Sequence, residues 1–543
     1  MDGSAGQWGK PQWLHAILRP APFRYPRAQI GAKLRASTEP NPMYLTQGLH
    51  RSLQRHPGKD ALIHLGDGAP RRLTFAELLQ GTARQAAALA GHGVGAGDRV
   101  ALLAPNDDRL VQALLACWWL GAAACPLNIR WSAPELADAM SDSAAVLMLA
   151  DESLTHLVPQ LQAPVLTLDA FAAQARGHTG LPDSRTGGDA LAAILYTGGT
   201  TGRAKGVMLS HTNFWAASVA RGAELPNSPD SVALLVAPLF HVAGLGRLIG
   251  QILVGGTCKT LARFQPDRVL DAIEHHAVSD IVAVPTMLQS LLDAPGFRRE
   301  RVQGLTRVAF GAAPMPPDLL ARALDTLPQA EFFQAYGMTE TAGAVCMNPP
   351  ANHRAGARER GLLNSVGRAG LGAEILIADA EGRELPRGQV GEVVVRGPMV
   401  MRGYWRQPEA TQAVFRDGWL RTGDAGRMDE GGHLFIVDRL KDMIISGGEN
   451  VYGGEVETVL RAHPAVAQAA VVGVPDTRWG EAVHAVVVLQ AGSLPIEGEV
   501  LRQWCRQRLA GYKCPRGFSF VPELPLSAAG KVLKSVLRAQ VRG

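Results

Sequence analysis

Cysteine is scarce in this chain. Only six occur in 543 residues (Cys117, Cys125, Cys258, Cys346, Cys505 and Cys514), and no two form a C-x-x-C. Neither a disulfide framework nor a zinc knuckle is indicated, and the thiols are expected to be reduced, as in a cytoplasmic enzyme. Long hydrophobic runs are also missing: none reaches the roughly 18–20 residues of a membrane-spanning helix. The nearest, Leu110 to Leu127, is interrupted by Gln112 and closed by Pro126, and reads as a buried helix running into a strand. Charged residues make up 19%, below the usual ~25%, and the net charge is +5. Most of that excess sits in residues 1–42, where Lys10, Arg19, Arg24, Arg27, Lys33 and Arg35 face only Asp2 and Glu39. The rest is nearly neutral, so no nucleic-acid partner is expected.

Apolar residues reach 47%, which excludes disorder as the whole story. The length suggests about three or four domain-sized units of ~150 residues. Residues 1–42 are basic and broken by Pro20, Pro22, Pro26 and Pro40, and they hold no apolar signal-peptide stretch. They read as an irregular N-terminal extension, the alternative being a basic binding arm. From Tyr44 onward the pattern is α/β. Thr74 caps a helix through Leu89, and Arg99–Leu103 is a short buried strand. Ala144–Leu149, Ala193–Tyr196, Val232–Val236, Asp280–Val284 and Arg307–Phe310 are further short apolar runs. Short strands alternating with helices predict parallel sheets covered on both faces. After Gly391 the strands crowd together, and a last segment begins after Asp438-Arg439 with helix Gly454–Arg461 and strands Ala467–Val474 and Ala482–Leu489. A boundary is expected at Asp438–Asp442, dividing a domain over 43–438 from one over 439–543.

The densest feature is Ala193-Ile194-Leu195-Tyr196-Thr197-Gly198-Gly199-Thr200-Thr201-Gly202-Arg203-Ala204-Lys205-Gly206, an apolar strand running into a Gly/Thr loop with a lysine. Glycines let consecutive backbone N–H groups turn around an anion, threonine hydroxyls add donors, and Lys205 supplies a charge for outer phosphates. Ala204 before Lys205 and Gly206 after it exclude a Walker loop. Phosphate binding is the reading, without fixing the reaction.

Further segments follow in order. They are Pro238-Leu239-Phe240-His241, Gly311-Ala312-Ala313-Pro314, Gln334-Ala335-Tyr336-Gly337-Met338-Thr339-Glu340, Arg421-Thr422-Gly423-Asp424, the run Asp438 to Asn450, and Pro525-Leu526-Ser527-Ala528-Ala529-Gly530-Lys531. With the loop they resemble the adenylate-forming superfamily of acyl-CoA synthetases, nonribosomal adenylation domains and luciferases, from about residue 44 to the end. The resemblance implies a large N-terminal α/β domain with two parallel-type sheets and a small β-barrel-like subdomain. A small mobile C-terminal α+β domain would follow, hinged at Lys441.

It also implies roles. The loop Thr197, Gly198, Gly199, Thr200, Thr201, Gly202 and Lys205 would hold ATP phosphates, with Gly311, Ala312, Ala313 and Gly337 around the nucleotide. Tyr336 would stack on adenine, Thr339 would donate to the α-phosphate and Glu340 would hold Mg²⁺. Asp424 and Arg439 would take the ribose, His241 would gate the acyl pocket, and Lys531 would neutralise the meeting anions. Alone, these side chains have blander readings: a core tyrosine, a turn aspartate in Thr-Gly-Asp, a satisfied strand-end histidine. The implied chemistry is attack of a carboxylate on ATP to give acyl-AMP and pyrophosphate, then transfer to CoA, with no covalent enzyme intermediate.

Amino-acid-activating relatives carry an Asp where this chain has His241. An ammonium buried there would lack a partner, so a fatty acid is expected, with an aryl acid as the alternative. Gly244 and Gly246 are expected to leave space, and Arg247 to favour a polar substrate tail. For CoA, Gly447 and Gly448 resemble a pantetheine-lining segment and Trp479 an adenine platform. Lys513 and Arg516, with Arg502, Arg506 and Arg508, form a basic run for the CoA phosphates, or a solvated helix face. A carrier protein as acceptor and a silent nucleotide-binding protein are the other readings. A homodimer is entertained.

Overall fold

The structure is a computed structural model describing residues 42–542 except 159–162, 198–203, 226–227, 355, 357–358 and 527–530. The expected extension over 1–42 therefore lies outside the described residues, Pro42 apart. Residues 43 onward form one compact unit.

Four sheets organise it. The first has nine strands in the order Arg368–Ala369, Gly343–Asn348, Glu331–Met338, Arg307–Gly311, Asp280–Ala283, Val232–Leu235, Thr257–Thr260, Asp60–His64 and Arg71–Thr74. The run from Glu331–Met338 to Asp60–His64 is parallel and the strands outside it are antiparallel. The second has seven: Gly403–Tyr404, Lys205–Ser210, Leu191–Thr197, Ala123–Pro126, Arg99–Leu103, Leu147–Ala150 and Val165–Thr167. It is parallel from Leu191–Thr197 onward, with the first two strands antiparallel. The expected parallel-type sheets are thus mixed, with antiparallel edges.

The parallel strands are covered on both faces, which is why they read as unbroken apolar runs rather than alternating ones: Val100 through Leu103 are all essentially buried. Helix starts follow local chemistry. Thr74 and Glu77 form a reciprocal capping box at Phe75–Gly91, each satisfying a backbone N–H of the first turn. The run expected as a strand from Ala144 begins only at Leu147, because Ala144 caps the preceding helix in the left-handed region at φ 46°.

The third sheet is antiparallel, built on Glu374–Ala378, Gly391–Arg396 and Trp419–Met428, with Leu434–Arg439 paired to the last of these. A short 3-10 turn, Leu440–Asp442, then leads to the fourth sheet, of Ile444–Ser446, Glu449–Val451, Val466–Asp476, Gly480–Leu489 and Gly517–Phe520. This last sheet has its own apolar core, including Val451, Val471, Val483, Val487 and Leu501.

Candidate functional site

The site lies where ends of strands from three sheets converge. Thr197 and Lys205 face each other across the hairpin Leu191–Thr197/Lys205–Ser210. Gly198, Gly199, Thr200, Thr201 and Gly202, the tip expected to cradle phosphates, lie outside the described residues. Below the hairpin is a cavity of about 350 Å³ bordered by Thr197, Lys205, Glu340, Thr422, Arg439 and Lys441.

Glu340 is buried in the short turn Thr339–Thr341, beyond the strand Glu331–Met338. Its Oε1 accepts a hydrogen bond of 2.9 Å from the Tyr404 phenol, and its backbone carbonyl accepts from Met401 N–H at 2.8 Å. Among the described residues its other carboxylate oxygen accepts no hydrogen bond. A carboxylate fixed by one oxygen, with the other beside a cavity, suits a hard cation that takes few protein oxygens. Thr339 is half-buried in the same turn. Tyr404 belongs to none of the motifs; its only sequence signal is the short Gly403-Tyr404-Trp405 run.

Asp424 is almost fully buried, and both its oxygens are engaged: Oδ2 by the Tyr336 phenol and Oδ1 by Arg439 Nε, each at 2.6 Å. Burial raises the Asp424 pKa, and Arg439 opposes that rise. Each carboxylate oxygen keeps a further lone pair for a ribose hydroxyl. Tyr336 is therefore anchored through its hydroxyl, leaving ring surface as the part that could meet a base. Glu392, also absent from the sequence expectations, takes Arg421 Nε at 2.7 Å and Gly423 N–H at 3.1 Å, and so holds the turn that presents Asp424. Close backbone approach explains the small residues nearby. A Cβ on Gly311 would meet the Ala335 carbonyl oxygen at 2.2 Å, and one on Gly337 the Gly343 carbonyl oxygen at 1.8 Å. Ala312 sits at φ 64°, turning the chain before Ala313.

Lys531 comes from the far end of the chain. It is exposed as a residue, yet its ammonium lies within Coulombic reach of Asp424, Glu340, Arg439 and Lys441, and desolvation there lowers its pKa. His241 caps the helix Val242–Val254 and packs against Phe240 with ring centroids 4.7 Å apart. Among the described residues its buried Nε2 has no hydrogen-bond partner. Burial first, then Lys531 and Arg130, push its pKa down to about 4, so the ring is neutral at pH 7. The structure thus gathers Lys205, Glu340, Tyr336, Asp424, Arg439, Lys531 and His241 around one cleft.

Two expectations about the acyl side are corrected. Gly244 leaves no space: a Cβ there would meet the Pro238 carbonyl oxygen at 2.3 Å, so the glycine serves helix packing. Gly246 is open, its Cβ position meeting only the Ala342 carbonyl oxygen at 3.9 Å among the described residues. Arg247 does not await a substrate tail. It is buried and ion-paired with Asp280 at 2.7 Å, and its Nη1 donates to Gln251 Oε1 at 2.9 Å.

None of the residues expected to meet CoA borders the cavity described above. Gly447 (φ 65°) and Gly448 (φ 84°) form the hairpin tip between Ile444–Ser446 and Glu449–Val451, where left-handed backbone favours glycine. Gly447 N–H donates to the Trp479 carbonyl at 2.8 Å. The Trp479 ring carries the guanidinium groups of Arg516 and Arg478 at 4.2 and 4.9 Å. The basic run is not free of acidic neighbours in space. Lys513 pairs with Glu455 at 2.7 Å and Arg502 with Glu499 at 2.5 Å, acids that lie upstream in sequence. All six cysteines are free and buried. Burial pushes the Cys125 and Cys258 thiols up to about 12, which leaves no thiolate nucleophile there.

Comparison with known proteins agrees with the fold. The AMP-binding enzyme family matches residues 49–405, and its C-terminal domain family matches residues 455–531. A feruloyl-CoA synthase of Amycolatopsis sp is 41% identical over 498 residues, covering 90% of this chain and 97% of its own. A fatty acid–[acyl-carrier-protein] ligase of Streptomyces coeruleorubidus is 36% identical over 502 residues, covering 90% and 95%. The solved o-succinylbenzoate coenzyme A synthetase of Bacillus subtilis, in complex with ATP and magnesium ion, superposes with a TM-score of 0.79 at 34% identity, over 93% of this chain and 100% of that one. With the motifs, the mixed sheets and the convergent cleft in agreement, the chain belongs to the AMP-binding enzyme family of adenylate-forming acid ligases.

Proposed function

We propose that the protein activates an apolar carboxylic acid with ATP and passes the acyl group to CoA. The observation that carries this reading is the cleft itself. A lysine from the chain's last residues lies in reach of a buried Asp–Arg–Tyr cluster and of a buried glutamate, beside a neutral histidine. Joining a carboxylate to a phosphate brings two anions together, and Lys205 and Lys531 are placed to offset that charge as it concentrates. Glu340 would hold Mg²⁺, which when bound supplies further neutralisation of the phosphates. Asp424, steadied by Tyr336 and Arg439, would accept from the ribose. Neutral His241 offers no cationic or anionic partner to a substrate tail, which suits a fatty or aryl acid better than an amino acid.

The second half-reaction needs a thiol to reach the acyl carbonyl. With Lys531 in Coulombic reach of Asp424 and Glu340, the C-terminal part would turn about Lys441 between the steps to bring Gly447–Gly448 to the acyl carbonyl, making 43–438 and 439–543 the working domains. The feruloyl-CoA relative favours CoA and an aryl acid, and the carrier-protein ligase supports a fatty acid. The reaction belongs in the cytoplasm, where ATP and CoA are available.

The test is ATP–pyrophosphate exchange over a panel of fatty, aryl and amino acids, followed by acyl-CoA release on adding CoA. Exchange with fatty or aryl acids and thioester release support the reading. Exchange only with amino acids, or no thioester with CoA, would sink it.

A further inference from the structure

We propose that Tyr404 is a positioning residue that ties the metal-binding carboxylate Glu340 to the phosphate-loop lysine, Lys205. The inference rests on the reading of Glu340 as the Mg²⁺ ligand. Tyr404 stands on the strand Gly403–Tyr404, paired antiparallel with Lys205–Ser210 so that Tyr404 is opposite Val207, two residues from Lys205. Trp405 N–H donates to the Gly206 carbonyl at 2.7 Å and Arg402 N–H to the Met208 carbonyl at 3.1 Å, which fixes that register on both sides. Just before this strand Met401 holds the Glu340 backbone, and Asn213 Nδ2 holds the approach through the Pro398 and Val400 carbonyls, each at 2.8 Å. The segment therefore touches both anchors of a metal–nucleotide complex, and Tyr404 does so with its side chain. Its hydroxyl donates to Glu340 Oε1 at 2.9 Å, and Lys205 Nζ lies 4.9 Å from its ring centroid.

An ionised carboxylate can only accept, so the Tyr404 hydroxyl is the donor of this bond. A donor on Oε1 restricts rotation of the carboxylate and leaves Oε2 as the atom offered to a cation. The ring face gives Lys205 a resting place beside the cavity instead of an extended, solvated one. Two parts of one side chain thus act on two ligands of the same complex, and the parts are separable: Phe removes only the hydroxyl, Leu removes both.

The test uses the full chain. Manganese binding to the enzyme–ATP complex is followed by electron paramagnetic resonance, and the thermal shift given by ATP is measured with and without Mg²⁺. Loss of a hydrogen bond to a ligating carboxylate weakens metal affinity about tenfold or more. Tyr404→Phe is expected to lose that factor in metal affinity, to bind metal-free ATP like the wild type, and to lower the melting temperature of the unliganded protein by only a few degrees, the cost of about one buried hydrogen bond. Tyr404→Leu should in addition weaken metal-free ATP about threefold, the size of a lost cation–π contact. Raising Mg²⁺ should recover the pyrophosphate-exchange rate of Tyr404→Phe. Unchanged metal affinity in Tyr404→Phe, or equal weakening of ATP with and without metal, would overturn the proposal while the proposed function stands. A wild-type protein that binds ATP without any metal dependence would overturn the reading of Glu340 on which both rest.

Discussion

The nucleotide side of the cleft and the surface around Trp479 are held in different ways. At the cleft, Asp424 and Glu340 are buried and each is fixed by a tyrosine hydroxyl, with Arg439 completing the first pair. Around Trp479, exposed arginines lie on the half-buried ring and Lys513 pairs with Glu455 near the surface. Buried, hydrogen-bonded carboxylates cannot relax when a partner is lost, whereas solvated pairs trade one partner for another at little cost. The first region is thus held rigidly, and the second could exchange contacts if the C-terminal part turned as proposed.

Substitutions in the cleft should therefore produce the largest effects. Lys531→Ala is expected to slow acyl-AMP formation about a thousandfold, as loss of a charge that meets the transition state does, while thioester formation from supplied acyl-AMP and CoA stays within a few-fold. Measuring the two half-reactions separately checks this; equal loss in both would refute a rotation between steps. Asp424→Ala strands Arg439 and the Tyr336 hydroxyl, and should destabilise the protein by about 3 kcal/mol and abolish detectable AMP binding. Denaturant unfolding and isothermal titration read the two effects.

Acid probes the same contrast between buried and solvated groups. Burial pushes His211, His241 and His353 down to about 4 from the ordinary 6.5. Above pH 6.5 these rings are neutral both folded and unfolded, and their full contribution is present. As pH falls from 6.5 towards 4 the unfolded chain takes up protons that the folded chain refuses, so stability drops, by roughly 2 kcal/mol per ring at pH 5. Calorimetric melting at pH 7 and pH 5 should show the fall, and a flat profile would contradict it. The smallest effect belongs to the exchangeable surface. Trp479→Ala should raise the KM for CoA about tenfold, the value of a lost stacking platform, and leave pyrophosphate exchange and melting temperature alone. A collapse of exchange would mean that this surface is part of the adenylation site.

Much of this was readable in the residues. Thr74 declares a helix start because an N-cap is local chemistry, and the apolar run at Arg99–Leu103 declares a buried strand. The ordered motifs declared the family, and with it the gathering of Lys205, Glu340, Asp424 and Lys531. What failed was settled by contacts that the linear pattern does not record, several of them with partners distant in sequence. Arg247 looked available until Asp280 was folded against it, Gly244 looked roomy until the Pro238 carbonyl closed over it, and Lys513 looked unopposed until Glu455 arrived.

The order of residues alone settles most of the segments that become strands and helices and, through the motifs, the family, because caps, periodicity and side-chain type act over a few residues. What each charged or polar group does with its lone pairs is settled by the folded chain and by nothing short of it. Tyr404 and Glu340 stand 64 residues apart, and Tyr336 and Asp424 stand 88 apart. Such pairs form when burial removes water and leaves each donor one available acceptor, and no local pattern records that choice.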